Sequence, residues 1–261
     1  VPCLFRPGKE FIPVEIRVTT MSELDRVTKA FILCGGLGTR LRTVLSDRPK
    51  SMAHVAGVPF LQLLIEKLKA GGVRELALGT GYLAEAIETY FGDGSRFGIS
   101  ISYSQENKPL GTGGALRNAL PQLADPVLVL NGDSYVEWDL HSMEKLMHEQ
   151  GADLVMVLQE VPDTARYGSA IVDPNCRITR FIEKGTNCGT GLINAGVYLL
   201  RRNIIERLPE DTKISLEQDL FPRLLGEKVY GCITAGTFID IGIPEDLARA
   251  QTLFAARARL D

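Results

Sequence analysis

From Ala30 onward, short β-branched runs alternate with amphipathic helical patterns, and this alternation restricts the fold more than any other property of the chain. Runs at 30–34, 76–79, 99–103 and 126–130 have the length and residue types of buried strands. Between the first two, residues 59–70 carry Phe60, Leu61, Leu64, Ile65 and Leu68 at helical spacing, and Pro59 suits a first helical turn. The spacing predicts further helices over 83–91 and 112–120. Strands that alternate with helices in this way form a parallel sheet covered on both faces, so the expected class is α/β.

The second half changes character. Strand-like runs at 153–160, 169–172, 177–183 and 192–200 are separated by turn residues and read as a strand-rich elaboration of the same sheet. A helix over 215–225, strands over 229–235 and 238–241, and a closing helix over 244–256 follow. No linker or internal repeat divides 30–261, which is therefore expected to form one domain. Residues 1–29 are set apart as an N-terminal extension without an assigned role: their first 20 contain three prolines and no helical period. They are either an appended segment or a stretch lying upstream of a true start at Met21.

Composition narrows the function further. With 45% hydrophobic residues, 23% charged residues and a net charge of -3, the chain has no basic excess to draw nucleic acid, and positive charge that binds an anion must be local. No run approaches the roughly 18 apolar residues of a membrane-spanning helix. The N-terminus also lacks a signal peptide's apolar stretch, so a cytoplasmic location without a membrane partner is expected. Cys3, Cys34, Cys176, Cys188 and Cys232 are scattered without a CxxC pair and read as reduced thiols, with Cys34 a small packing residue. His141 and His148 fall on one probable helix, but the intervening Glu144 and Lys145 suit a solvated face better than a metal site.

Residues 31–50 read FILCGGLGTRLRTVLSDRPK, a buried strand running into a loop with Gly35, Gly36 and Gly38, followed by Thr39, Arg40 and, further on, Lys50. Glycines let backbone N–H groups approach an anion closely, and two cations beside them point to a polyphosphate. A dinucleotide fingerprint would need glycine or alanine where Leu41 stands, which disfavours a nicotinamide oxidoreductase. A Walker loop would need Gly-Lys-Ser/Thr, whereas Gly38 is followed by Thr39 and Arg40.

The remaining pattern, GGxGTRL with eight residues to Lys50, resembles the signature of the sugar-1-phosphate nucleotidyltransferases. PLGTGGA at 109–115, NGD at 131–133, IEK at 182–184, INAGVY at 193–198 and FIDIGIPEDL at 238–247 resemble later motifs of that family in the same order. The resemblance covers essentially all of 30–261 and implies a Rossmann-like, mixed and mainly parallel sheet flanked by helices, similar to GT-A folds. One departure is Ser51, where the family usually has a second proline after Pro49-Lys50, a change expected to alter loop stiffness more than chemistry. Within the family, ILCGGLGTRL, PLGTGGA, ISLEQDLFP and FIDIGIPEDL look most like the guanylyltransferases of D-glycero-α-D-manno-heptose 1-phosphate. Guanylyltransferases of mannose 1-phosphate and uridylyltransferases of N-acetylmuramate 1-phosphate are the enzymatic alternatives. A non-catalytic sugar-nucleotide sensor on the same fold would be expected to lose Arg40, Lys50, Asp133 or Asp240, and all four are present.

The implied reaction is attack of a sugar-1-phosphate oxygen on the α-phosphorus of a nucleoside triphosphate, here GTP, with loss of pyrophosphate. The nucleophile is already an anion, so catalysis consists of aligning two polyanions and neutralising charge. By resemblance, Gly35, Gly36, Gly38 and Thr39 belong to the triphosphate site, Arg40 to the β- and γ-phosphates, and Lys50 to the α-phosphate and the sugar phosphate. Asp133 and Asp240 would hold Mg²⁺, with Asp133 counted among the catalytic groups. Glu106, Gly111 and Gly114 fall where the family contacts the base, and a carboxylate can accept both the N1–H and the 2-amino group of guanine. Gly168, Glu183, Lys184 and Asn194 would take the sugar and its phosphate, while Arg166, Tyr167 and Glu217 are left without a role. The chain reaches Asp261 without the hexapeptide-repeat domain of some relatives, which removes one route to assembly and leaves a homo-oligomer open.

Overall fold

The computed structural model describes residues 26–36, 48–186 and 188–257, with residue 257 described by its backbone alone. Its centre is a parallel array built by successive crossovers. β1 (Lys29–Leu33) is followed by a short hairpin of β2 (His54–Val55) and β3 (Val58–Pro59), then by α1 (Phe60–Ala70) and β4 (Glu75–Thr80). The chain continues through α2 (Ala84–Phe91) to β5 (Ser100–Gln105), and through α3 (Gly111–Asn118) to β6 (Val127–Asn131). β4 lies beside β1, and β5 lies beside β4. β6 returns to the other side of β1, again parallel, with Leu33 level with Asn131. The winding direction therefore reverses between β1 and β6, and in such sheets a crevice opens there, at the carboxyl ends of the strands.

Every second residue of these strands belongs to one of two cores. Ala30, Ile32, Leu76, Leu78, Leu128 and Leu130 pack against α1, α2 and the later helices α4 (Leu140–Gln150) and α6 (Pro244–Arg257). Phe31, Ala77, Val127 and Val129 face the opposite layer, made by α3, the short α5 (Arg202–Glu206) and residues 216–226. This two-sided burial explains why the strands read as continuous apolar runs rather than alternating ones.

The flank beyond β6 is mostly antiparallel. β8 (Leu154–Val161), β9 (Ser169–Val172), β10 (Ile178–Ile182) and β11 (Gly191–Leu200) extend the sheet, and β12 (Val229–Thr234) adds a parallel edge to β8. β11 pairs with β9 at Leu192 and with β6 from Val197 onward. Its register against β8 shifts between Asn194 and Tyr198. The expected mixed, mainly parallel sheet flanked by helices is what forms.

The strand expected at 238–241 forms as β13 (Phe238–Asp240), which pairs with β7 (Ser134–Val136) in a separate two-stranded ladder. Two local expectations need correction. The helix over 215–225 forms instead as a π-helical turn at Leu216–Leu220 and a 3₁₀ stretch at Phe221–Gly226. Pro222 interrupts a regular ladder because it has no N–H to give, while the Thr112 hydroxyl accepts the Leu216 N–H at the start of the turn at 2.7 Å. Glu144 is not on a solvated face: it is 7% exposed, and its Oε1 accepts the Val27 N–H at 2.7 Å. The described cysteines Cys34, Cys176, Cys188 and Cys232 are free thiols, and burial pushes the Cys34 thiol up to about 12, as suits a packing residue. Among the described residues, no helix is long and apolar enough to cross a membrane.

Candidate active site

The crevice between β1 and β6 is a cleft of about 570 Å³. Its walls include Gly35, Gly36, Lys50, Glu106, Gly111, Thr112, Asn131, Asp133, Lys213, Glu217 and Gly242. Of the residues expected to hold the triphosphate, Gly35 and Gly36 line it, while Gly38, Thr39 and Arg40 lie outside the described residues. β6 can hug β1 at this point only because residue 132 is glycine. Its N–H donates to the Leu33 carbonyl at 2.9 Å, and a Cβ there would stand 2.6 Å from that same oxygen. This close approach delivers Asp133 to the mouth of the crevice.

Asp240 reaches the same place from the other end of the chain. The β7–β13 ladder sets Asp240 opposite Ser134, and the Ile241 N–H donates to the Asp133 carbonyl at 3.0 Å, which puts the two aspartates side by side. Lys50 comes from a third direction: Lys50–Met52 is a 3₁₀ turn that buries Ser51 and Met52 and turns the lysine toward the cleft. Its Nζ lies 2.6 Å from Asp133 Oδ2 and 3.4 Å from Asp240 Oδ1. Burial, together with the neighbouring Asp133 carboxylate, raises the Asp240 pKa above the usual carboxylate range, and Lys50 opposes that rise. Two hard oxygen donors at one edge can hold a divalent cation whose remaining ligands are phosphate oxygens and water. No group of three or more metal-binding side chains occurs among the described residues.

Glu106 closes the wall above the glycines. Its Oε2 accepts the Leu110 N–H at 2.8 Å, and its Oε1 lies 2.9 Å from where a Cβ on Gly35 would be. Burial raises its pKa, partly offset by the Leu110 N–H. Gly111 lines the cleft, whereas Gly114 is buried behind it. The bare faces of these two glycines lie against the Ile214 and Thr212 carbonyls, and the Gly113 N–H donates to Ile214 O at 2.8 Å.

The residues expected to bind the sugar form a neighbouring group. Gly168, Glu183 and Lys184 are exposed and do not belong to the cleft lining, whereas Asn194 is joined to it through a partly buried network. The Asn194 amide donates to Tyr198 Oη at 3.0 Å, and that hydroxyl lies 3.5 Å from Glu217 Oε1. Glu217 Oε2 accepts from Thr112 at 3.1 Å and from Ser215 at 3.0 Å. Tyr198 is fully buried, so its pKa stands well above the ordinary value. Gly168 joins the same region, since its carbonyl accepts the Asn194 N–H at 2.9 Å. Arg166 and Tyr167 pin the adjoining loop, Arg166 by pairing with buried Asp246 and Tyr167 by an edge contact with Phe238.

Thr112, Lys213, Tyr198 and Gly242 were not singled out from the sequence. Lys213 reaches the cleft through a loop whose local pattern carries no signal, Gly242 stands inside the FIDIGIPEDL motif, and Tyr198 stands inside the INAGVY motif and reads as core.

Fold, switch-point cleft and motif order define one class. The nucleotidyl transferase family profile matches residues 29–257, and the chain belongs to that family. It is 39% identical over 226 residues to the mannose-1-phosphate guanylyltransferase of Mycobacterium tuberculosis, a match covering 85% of this chain and 63% of that protein. It is 42% identical over 225 residues to the D-glycero-alpha-D-manno-heptose 1-phosphate guanylyltransferase of Aneurinibacillus thermoaerophilus, covering 85% of this chain and 96% of that one. The crystal structure of HddC from Yersinia pseudotuberculosis complexed with GMP-PN matches with a TM-score of 0.77 at 39% identity, over 87% of this chain and 100% of that one. The chain thus spans less than two thirds of the mycobacterial relative and nearly the full length of the other two.

Proposed function

We propose that this chain is a sugar-1-phosphate guanylyltransferase and that its sugar is D-glycero-α-D-manno-heptose 1-phosphate. The observation that carries the reaction is the meeting of Lys50, Asp133 and Asp240 at the switch-point crevice, beside Gly35 and Gly36. A sugar-phosphate oxygen bonds to the α-phosphorus of GTP as the bond from that phosphorus to the β-phosphate oxygen breaks, and pyrophosphate leaves with the electron pair. Lys50 lowers the repulsion between the two phosphates, and the N–H groups of Gly35 and Gly36 hold the triphosphate in line. Asp133 and Asp240 would hold Mg²⁺, which when bound supplies positive charge to the phosphates.

Glu106 supports guanine as the base, because a carboxylate above the glycines can accept both guanine donors at once. Heptose is favoured over other sugars by the 42% identity to the heptose enzyme over 96% of its length. Mannose 1-phosphate is the second reading, supported by the 39% identity to the mycobacterial mannose-1-phosphate enzyme. A matrix of four nucleoside triphosphates against heptose, mannose, glucose and N-acetylmuramate 1-phosphates, read by Mg²⁺-dependent pyrophosphate release, tests both. The highest kcat/KM is expected for GTP with the heptose phosphate; a maximum with mannose phosphate would replace the sugar, and silence across the matrix would end the enzymatic reading.

A further inference from the structure

We infer that Lys50 holds the place of the metal in the free enzyme: its ammonium is the resident cation of the Asp133–Asp240 pair and must be exchanged when metal and nucleotide arrive. The inference rests on the proposal that these two aspartates bind a divalent cation.

The geometry is that of an internal counter-ion. Lys50 Nζ lies within ion-pairing distance of both carboxylates, at 2.6 and 3.4 Å, with only 12% of its side chain exposed. Two carboxylates brought together by the β7–β13 ladder repel each other, and one ammonium between them removes most of that cost. Gly242 makes the arrangement possible, since a Cβ there would stand 2.8 Å from Asp240 Oδ1 and 3.4 Å from Lys50 Nζ. Asp133 is the open side, with 41% of its side chain exposed against 28% for Asp240.

A divalent cation entering this pair meets an ammonium already in hydrogen-bond contact with its ligands, and like charges cannot share so small a space. The free enzyme therefore binds divalent cations weakly. A nucleotide changes the balance in two ways: its phosphates bring further metal ligands, and they offer the displaced ammonium a new anionic partner. Metal and nucleotide then bind with positive coupling, and the exchange moves Lys50 toward the phosphates on which it acts.

The test is Mn²⁺ binding to the full chain without sugar phosphate, followed by the electron paramagnetic resonance signal of free Mn²⁺. Without nucleotide, Lys50→Met is expected to bind Mn²⁺ about 10-fold more tightly than the wild type, within the range usual for coupled sites. Lys50→Arg, which keeps the cation, should stay weak, and adding Asp240→Asn to Lys50→Met should abolish the gain. Lys50→Gln serves as the neutral variant if near-ultraviolet circular dichroism shows that Lys50→Met does not fold. Equal or weaker Mn²⁺ binding by the folded neutral variant, with the wild type still taking up Mn²⁺ beyond what GTP alone chelates, overturns the exchange and leaves the metal site standing. Absence of Mn²⁺ uptake by every protein beyond what GTP alone chelates removes the metal site and the exchange together.

Discussion

Two clefts of about 570 Å³ each indent the described part of the molecule, and they differ in what their cations face. The first lies at the carboxyl ends of β1 and β6 and holds Lys50. The second runs beside α1 and the start of α4 and holds Lys67, with Tyr135, Trp138 and Phe254 on its walls. Lys67 Nζ lies 3.3 Å from Glu137 Oε2 and 3.3 Å from the Trp138 carbonyl, 5.7 Å from the centre of the Tyr135 ring and 5.6 Å from that of Trp138. Its partners come mainly from one short stretch of chain, 135–138, and together they fix an amphipathic lysine over an aromatic surface. Lys50 instead meets carboxylates delivered by two separate strand ends, and the glycine loop opens beside it. Equal volume therefore does not make equal sites; convergence of charge at the switch point distinguishes the first cleft.

That contrast can be broken by substitution. The largest effect is expected in the first cleft, where Lys50→Ala should lower kcat about 10³-fold, as loss of a preorganised charge contact does, with circular dichroism unchanged. A loss below tenfold would put Lys50 on a level with Lys67. Next, Glu106→Gln should raise KM for GTP about tenfold with kcat nearly constant, since a charged hydrogen bond to the base contributes about 1.5–3 kcal/mol. The same variant carries a sign test. Burial raises the Glu106 pKa in the folded state, so its contribution to stability falls as pH rises from the ordinary carboxylate range through the raised value. Glu106→Gln removes that dependence, and its Tm relative to wild type should improve from pH 4 to pH 7; a relative Tm that falls over this interval would contradict the direction.

Smaller effects sharpen the boundary of the site. Tyr198→Phe deletes a fully buried hydroxyl that accepts from Asn194 and faces Glu217, and should raise the sugar-phosphate KM about fivefold, corresponding to about 1 kcal/mol for one hydrogen bond. KM for GTP should stay constant, which separates positioning of the sugar side from general loss of structure. Smallest of all, Lys67→Met should leave kcat/KM within about twofold and cost about 1 kcal/mol of stability, read as a Tm lower by about 2–4 °C. A large activity loss there would make the second cleft part of the machinery.

Much of this could be read from the chain before folding. The apolar runs and helical spacing identified the parallel array because period and length are local properties, and the short turn after β6 placed Asp133 at a strand end without reference to any partner. Lys50 and Asp240 were named through the resemblance of their motifs to those of the family. The Glu144 carboxylate was misread because helical period assigns a face but cannot see the Val27 N–H that arrives from before β1. The π-helical turn was missed too, although Pro222, inside the expected helix, is a local signal against a regular ladder.

By itself the sequence determined the alternation of strands and helices, the glycine-flanked strand end and the identity of the charged groups, all of which follow from interactions between near neighbours. Only the tertiary structure decided that β13 would leave the main sheet to pair with β7, that the 212–214 segment would lie against Gly111 and Gly114, and that Asn194, Tyr198 and Glu217 would form one network. Those contacts require distant segments to close on one another, and which closures form depends on the whole packed core rather than on any window of residues.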